Sequence, residues 1–111
     1  KAEYIANTLI SNWRLMYENA LKNGDNFVAI LQPVTYSANS YDLSKNDIFG
    51  KQFKVVYPII LEKVKKEDFK FIDLTQIFEN DMKNTFFDFC HLDKQGNKFV
   101  ARKIFENLKI E

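Results

Sequence analysis

Phe27-Val28-Ala29-Ile30-Leu31 is an unbroken apolar run of strand length, and the organisation of the whole chain turns on how it is read. A strand with one wet face alternates apolar and polar residues. This one does not, so it is expected to be a parallel strand covered on both faces. Gln32-Pro33 ends it. Upstream, residues 3–22 place Ile5, Leu9, Trp13, Met16 and Ala20 at helical spacing, with Asn7, Arg14 and Glu18 elsewhere on the surface. Asn23-Gly24-Asp25-Asn26 stops that helix, because Gly and Asn tolerate the left-handed conformation of a helix end. Downstream, residues 34–47 (VTYSANSYDLSKND) are polar and aromatic and read as a loop. A helix from about Ile48 to Lys66 should turn Phe53, Tyr57, Ile60, Leu61 and Val64 to the core. Pro58 is expected to kink or restart it, since proline removes one helical hydrogen bond.

Phe69–Leu74 (FKFIDL) reads as a second strand, with a helical turn over Thr75–Phe78 and a polar loop over Asn80–Asn84. The last helix should run from Lys94 to Leu108, capped by Asp93, with Phe99, Val100, Ile104, Phe105 and Leu108 as its buried stripe. Helix, strand, helix, strand, helix in that order implies an α/β layered sheet with right-handed crossovers. Two strands among three helices leave a sheet edge open. Further strands are therefore expected outside these residues, with 1–111 forming part of a larger domain. The 46% apolar content and 11 Phe suffice for a core. Charge is balanced, 16 Lys+Arg against 15 Asp+Glu, which argues against a nucleic-acid partner. The densest basic run, Lys63, Lys65 and Lys66, is flanked by Glu62 and Glu67 and reads as a solvated helix end. Cys90 is the one cysteine, so no disulfide forms within the chain. No apolar run approaches the ~20 residues of a membrane span.

In parallel sheets, ligands bind beyond the carboxyl ends of the strands. The one histidine, His91, follows Asp88 by three residues, just before a capped helix. Asp-x-x-His on a tight loop can set a carboxylate against one imidazole nitrogen and leave the other as a general base. Taken bare, the same four residues more often describe a surface or structural histidine beside a turn or cap aspartate. Cys90 adjoins His91, but neighbouring side chains of an extended chain point to opposite faces, so it reads as a small core hydrophobe. Ser37 and Ser40 lack a Gly-x-Ser-x-Gly elbow and read as loop residues. Tyr36, Asn39 and Tyr41 are candidates to line a substrate cleft, and Asp73 to cap the turn after its strand. One histidine without a second His or a clustered Cys speaks against a transition-metal site, and no cofactor is expected.

The longer string FFDFCHLDKQGNKFVARKIFENL resembles the last sequence block of SGNH (GDSL) serine hydrolases through Asp88, His91, Leu92, Asp93, Gly96, Asn97 and Ala101. FVAILQPVTY and FKFIDLTQIF are similar to the two strands that precede that block. The resemblance implies a flavodoxin-like three-layer fold and hydrolysis of small-molecule, carbohydrate or lipid esters. It implies that His91 is the base activating a serine and that Asp88 orients it. The family's Gly-Asp-Ser, oxyanion-hole and Gly-x-Asn-Asp blocks have no counterpart in the chain. The resemblance therefore implies an upstream part of the same domain as partner, without which residues 1–111 are inert. The alternatives are a non-catalytic relative that only binds a ligand, and another flavodoxin-like module such as a response regulator. A regulator should carry acidic residues at the end of its first strand, where Leu31-Gln32-Pro33 stands.

Overall fold

The computed structural model describes residues 1–37, 48–78, 85–88 and 90–109, and within these the side chains of 48–50 are not described. Three helices and two strands follow one another as α1 (Ala2–Lys22), β1 (Val28–Leu31), α2 (Ile48–Val64), β2 (Lys70–Asp73) and α3 (Lys94–Asn107). The strands pair in parallel, Val28 with Lys70 through Leu31 with Asp73. Among the described residues the chain is thus a mixed α/β protein with a short two-stranded parallel sheet.

α1 stops as its sequence demands. Gly24 takes a φ of 73°, and the backbone N–H groups of Gly24 and Asp25 donate to the carbonyls of Leu21 and Ala20. These are the two bonds of a Schellman cap, which satisfy carbonyls the helix leaves unpaired. The buried face of α1 is only partly the one the spacing suggests: Ala20 is half-buried, as are Leu9 and Trp13. Ile5 and Met16 are 39% and 55% exposed, whereas Ala6 and Ile10 are buried. Leu9, Trp13 and Tyr17 pack along the margin of that face. The rotation by one position puts the small Ala6 side chain, fully buried, in the core cluster.

α2 runs unbroken through Pro58. Pro58 is solvent-exposed, so the carbonyl that loses its helical partner lies on the wet side, where water satisfies it. Tyr57, Ile60 and Val64 are buried as expected, Phe53 and Leu61 are half-buried, and Val56 joins the core. The basic run beside it is solvated: Lys65 pairs with Glu62 and Lys63 with Glu3 of α1. Arg14 and Glu67 form a further pair between α1 and the end of α2.

β1 is covered less fully than its composition suggests. Ala29 and Leu31 are buried, but Val28 and Ile30 are only half-buried, because one face of the strand receives less cover than the other among the described residues. An aromatic cluster of Trp13, Tyr17, Phe27, Phe69 and Phe71 closes the entry end of the sheet against α1, with ring centroids 5.6–6.3 Å apart. Such pairs add stability beyond the area they bury.

α3 departs most from expectation. Only Gly96 is fully buried in it, Phe99, Val100, Ile104 and Leu108 are half-buried, and Phe105 is 70% exposed. The helix rests on the body through its first turns, with Phe99 against Phe78, and its far end projects into solvent. No described helix is long and apolar enough to cross a membrane.

Candidate functional site

Ahead of α3, residues 85–88 and 90–93 form a pinched loop. Phe86 and Leu92 form an antiparallel bridge. The N–H of Phe87 donates to the carbonyl of His91 at 2.8 Å, and that of Asp93 to the carbonyl of Thr85 at 2.7 Å. Below the pinch, Phe86 stacks edge-on against Phe78. On its other side, Asp93 caps α3 by accepting the N–H of Gly96 at 2.7 Å. A Cβ at Gly96 would meet side-chain atoms of Leu92 and Thr85 at 3.0–3.2 Å. Glycine there lets α3 start hard against the bridge, which holds Asp88 and His91 in register.

Inside the loop, one carboxylate organises everything. Asp88 Oδ1 accepts the backbone N–H groups of Cys90 and His91 at 2.8 and 2.7 Å, and Oδ2 lies 2.7 Å from His91 Nδ1. The two backbone donors, with the imidazole adding to them, hold the Asp88 carboxyl well below the usual carboxylate range. With Asp88 on Nδ1, the nitrogen left for proton transfer is Nε2, and the His91 side chain is 75% exposed.

Cys90 is the residue whose placement sequence reasoning missed. Its Sγ lies 3.5 Å from His91 Nδ1, not on the opposite face. The segment is bent rather than extended, because Asp88 Oδ1 gathers two successive N–H groups and curls the chain around itself. No sequence pattern announces this beyond the Asp two residues before Cys90. Cys90 also packs against the buried core cluster. The Tyr57 hydroxyl is pushed up to about 12, mainly by burial, with Cys90 and Asp73 adding to it. Tyr57 donates to the carbonyl of Gln32, just past β1, and Asp73 ends β2. Cys90 packs on the same core cluster as Leu31 of β1 and Tyr57 of α2, so the loop lies against the body.

The other candidates divide. Tyr36 is 8% exposed and belongs to the core cluster, while Asn39, Tyr41 and Ser40 lie outside the described residues. Ser37 Oγ accepts the N–H of Val34 and lies within hydrogen-bond distance of the carbonyls of Val34 and Thr75, so it ties the turn after β1 to the turn after β2. Asp73 accepts the N–H of Thr75 at 2.9 Å, as a turn cap does. An apolar cleft of about 460 Å³ opens between α1, α2 and the end of β1, lined by Leu9, Trp13, Ile30, Phe53, Val56 and Tyr57 among others. Tyr57 lines this cleft and belongs to the core cluster against which Cys90 packs.

No family model matches the chain, and no curated protein or solved structure matches it.

Proposed function

We propose that the chain carries the acid–base half of an ester hydrolase of the SGNH type, with the rest of a three-layer flavodoxin-like domain supplying the serine and the oxyanion hole. The observation that carries this reading is the 2.7 Å contact between Asp88 Oδ2 and His91 Nδ1 on an exposed loop. A carboxylate there fixes the tautomer with the proton on Nδ1. Nε2 is then the base that takes a proton from a serine hydroxyl and returns it to the leaving alcohol, while Asp88 steadies the imidazolium. Asp88 suits that role because its backbone bonds keep it ionised. The apolar cleft beside Tyr57 fits the acyl portion of an ester.

Among the described residues no serine hydroxyl is hydrogen-bonded to His91, and the Cys90 thiol lies 3.5 Å from Nδ1, the nitrogen that already faces Asp88. The nucleophile and the donors for a developing oxyanion are therefore assigned to the preceding part of the domain. The test is hydrolysis of short-chain aryl esters by residues 1–111 alone and by the same residues joined to the segment that precedes them. The chain alone should be inert. In the joined protein, His91→Ala should lower activity by about three orders of magnitude or more, and Cys90→Ala should leave most of it. Activity that survives His91→Ala and disappears with Cys90→Ala reverses the roles of the two residues. Hydrolysis by the isolated chain that depends on Ser37 or Ser40 replaces the half-enzyme with a complete one.

A further inference from the structure

The loop that presents Asp88 and His91 also presents a third donor of a different kind. The carboxylate oxygens of Asp88, the thiol sulfur of Cys90 and the ring nitrogens of His91 each supply one ligand atom, all within 4.8 Å of one another. We propose that Asp88, Cys90 and His91 form a three-donor site for a zinc-class divalent cation, with the remaining coordination position open to solvent.

The distances suit this use. Tetrahedral zinc holds sulfur at about 2.3 Å and nitrogen at about 2.0–2.1 Å, which sets those two donors about 3.5 Å apart. Cys90 Sγ and His91 Nδ1 are already 3.5 Å apart. An oxygen and a nitrogen on the same ion stand about 3.3 Å apart. Asp88 Oδ2 and His91 Nδ1, now 2.7 Å apart, therefore need to open by roughly 0.6 Å as the ion replaces the proton between them. That is a side-chain adjustment on an exposed loop.

The support around the donors is also in place. Asp88 Oδ1 is held by two backbone N–H groups, which orients Oδ2 as hydrogen bonds to the outer oxygen of a ligating carboxylate do. The Phe86–Leu92 bridge and the Asp93 cap fix both ends of the loop. The donor set, one thiolate, one imidazole and one carboxylate, is borderline-soft and matches zinc better than calcium or magnesium, which take oxygen ligands. A thiolate and a carboxylate together balance the charge of a divalent ion.

Metal binding and general-base catalysis use opposite tautomers of His91. The ion needs Nδ1 unprotonated, whereas the base needs its proton there and Nε2 bare. A cation at this site would therefore switch the base off. The site itself rests on the loop geometry and not on the hydrolase reading, and its test reads the metal directly.

The probe is Co(II), titrated into the 111-residue chain under reducing conditions and followed by absorption, with Zn(II) added in competition. One ion per chain should produce a thiolate-to-cobalt band in the near ultraviolet and visible bands of four-coordinate cobalt, both erased by zinc. Zinc binding should release protons, because the thiol must ionise. Cys90→Ser should abolish the ultraviolet band, and His91→Ala and Asp88→Asn should each weaken binding at least about tenfold, the least that loss of even an outer support costs. Circular dichroism establishes that each variant is folded, and Cys90→Ser, nearly isosteric, remains informative if the others are not. Absence of the thiolate band overturns the site. So does unchanged affinity in a folded His91→Ala, which would reduce it to a lone thiol, or a stoichiometry of one ion per two chains.

Discussion

Asp88 governs the local structure through its two oxygens, one spent on backbone and one on imidazole. Its carboxyl should titrate well below the ordinary value of 3.8, which carbon-13 NMR of the side-chain carboxyl would read directly. Because the folded pKa is depressed, the loop contacts are fully present above pH 3.8 and are lost only as pH falls through the lower folded value. A midpoint at or above 3.8 would mean that the two N–H bonds do not form in solution. Tyr57 shows the opposite sign. Its folded pKa lies near 12 against a reference of 10.0, so its contribution to stability is complete below pH 10 and declines between the two values. Spectrophotometric titration should find one tyrosine ionising near pH 12, missing in Tyr57→Phe. That substitution also removes the bond to Gln32 and should cost about 1 kcal/mol.

At the scale of elements, α3 is held by its beginning. Asp93→Ala removes the side-chain acceptor for the Gly96 N–H and should lower stability by about 1 kcal/mol, the usual worth of an N-cap. Gly96→Ala sets two effects against each other. Alanine gains about 0.8–1 kcal/mol of helix propensity, but its Cβ meets Leu92 and Thr85 at 3.0–3.2 Å. The Thr85 Cβ and Leu92 Cβ are near the backbone of the bridge and cannot swing aside. The clash should win, so a thermal melt should show a lower Tm for Gly96→Ala. A higher one would mean that the bridge yields and that α3 does not depend on so close a seat. The exposed Phe105 at the far end is expected to tolerate Phe105→Ser with little change in Tm.

The molecule as a whole is a slab of 45 × 36 × 18 Å with a radius of gyration of 15.0 Å. A compact domain of this length would have a radius near 13 Å. An 18 Å thickness accommodates about two layers of secondary structure, given a sheet and a helix each about 10 Å deep. The core is correspondingly concentrated where α1, α2 and β1 meet. Ile60, 1% exposed at that centre, is the residue whose loss should matter most. Ile60→Ala should cost about 2–5 kcal/mol, measured by urea unfolding, and in so thin a structure the upper half of that range would leave little folded protein.

What depends on residues near one another in the chain is legible in the amino-acid sequence by itself. The helices over Ala2–Lys22 and Lys94–Asn107, the two strands and their helical crossover, the stop at Gly24 and the cap at Asp93 all follow from period and local hydrogen bonding. So does the proximity of Asp88 to His91, because three residues of tight loop bring them together. Tertiary structure alone decided which face of α1 is buried. Apolar residues lie on both sides of the stripe, and only the approach of α2 selects Ala6 and Ile10 over Ile5 and Met16. It also decided that Phe105 stays in solvent, since a helical stripe is buried only where something covers it. The packing of Cys90 on a core cluster that includes Leu31 and Tyr57 joins a loop, β1 and α2, which are distant in sequence. Periodicity records how a side chain faces its own helix or strand, whereas the identity of what it meets is set by how the elements pack.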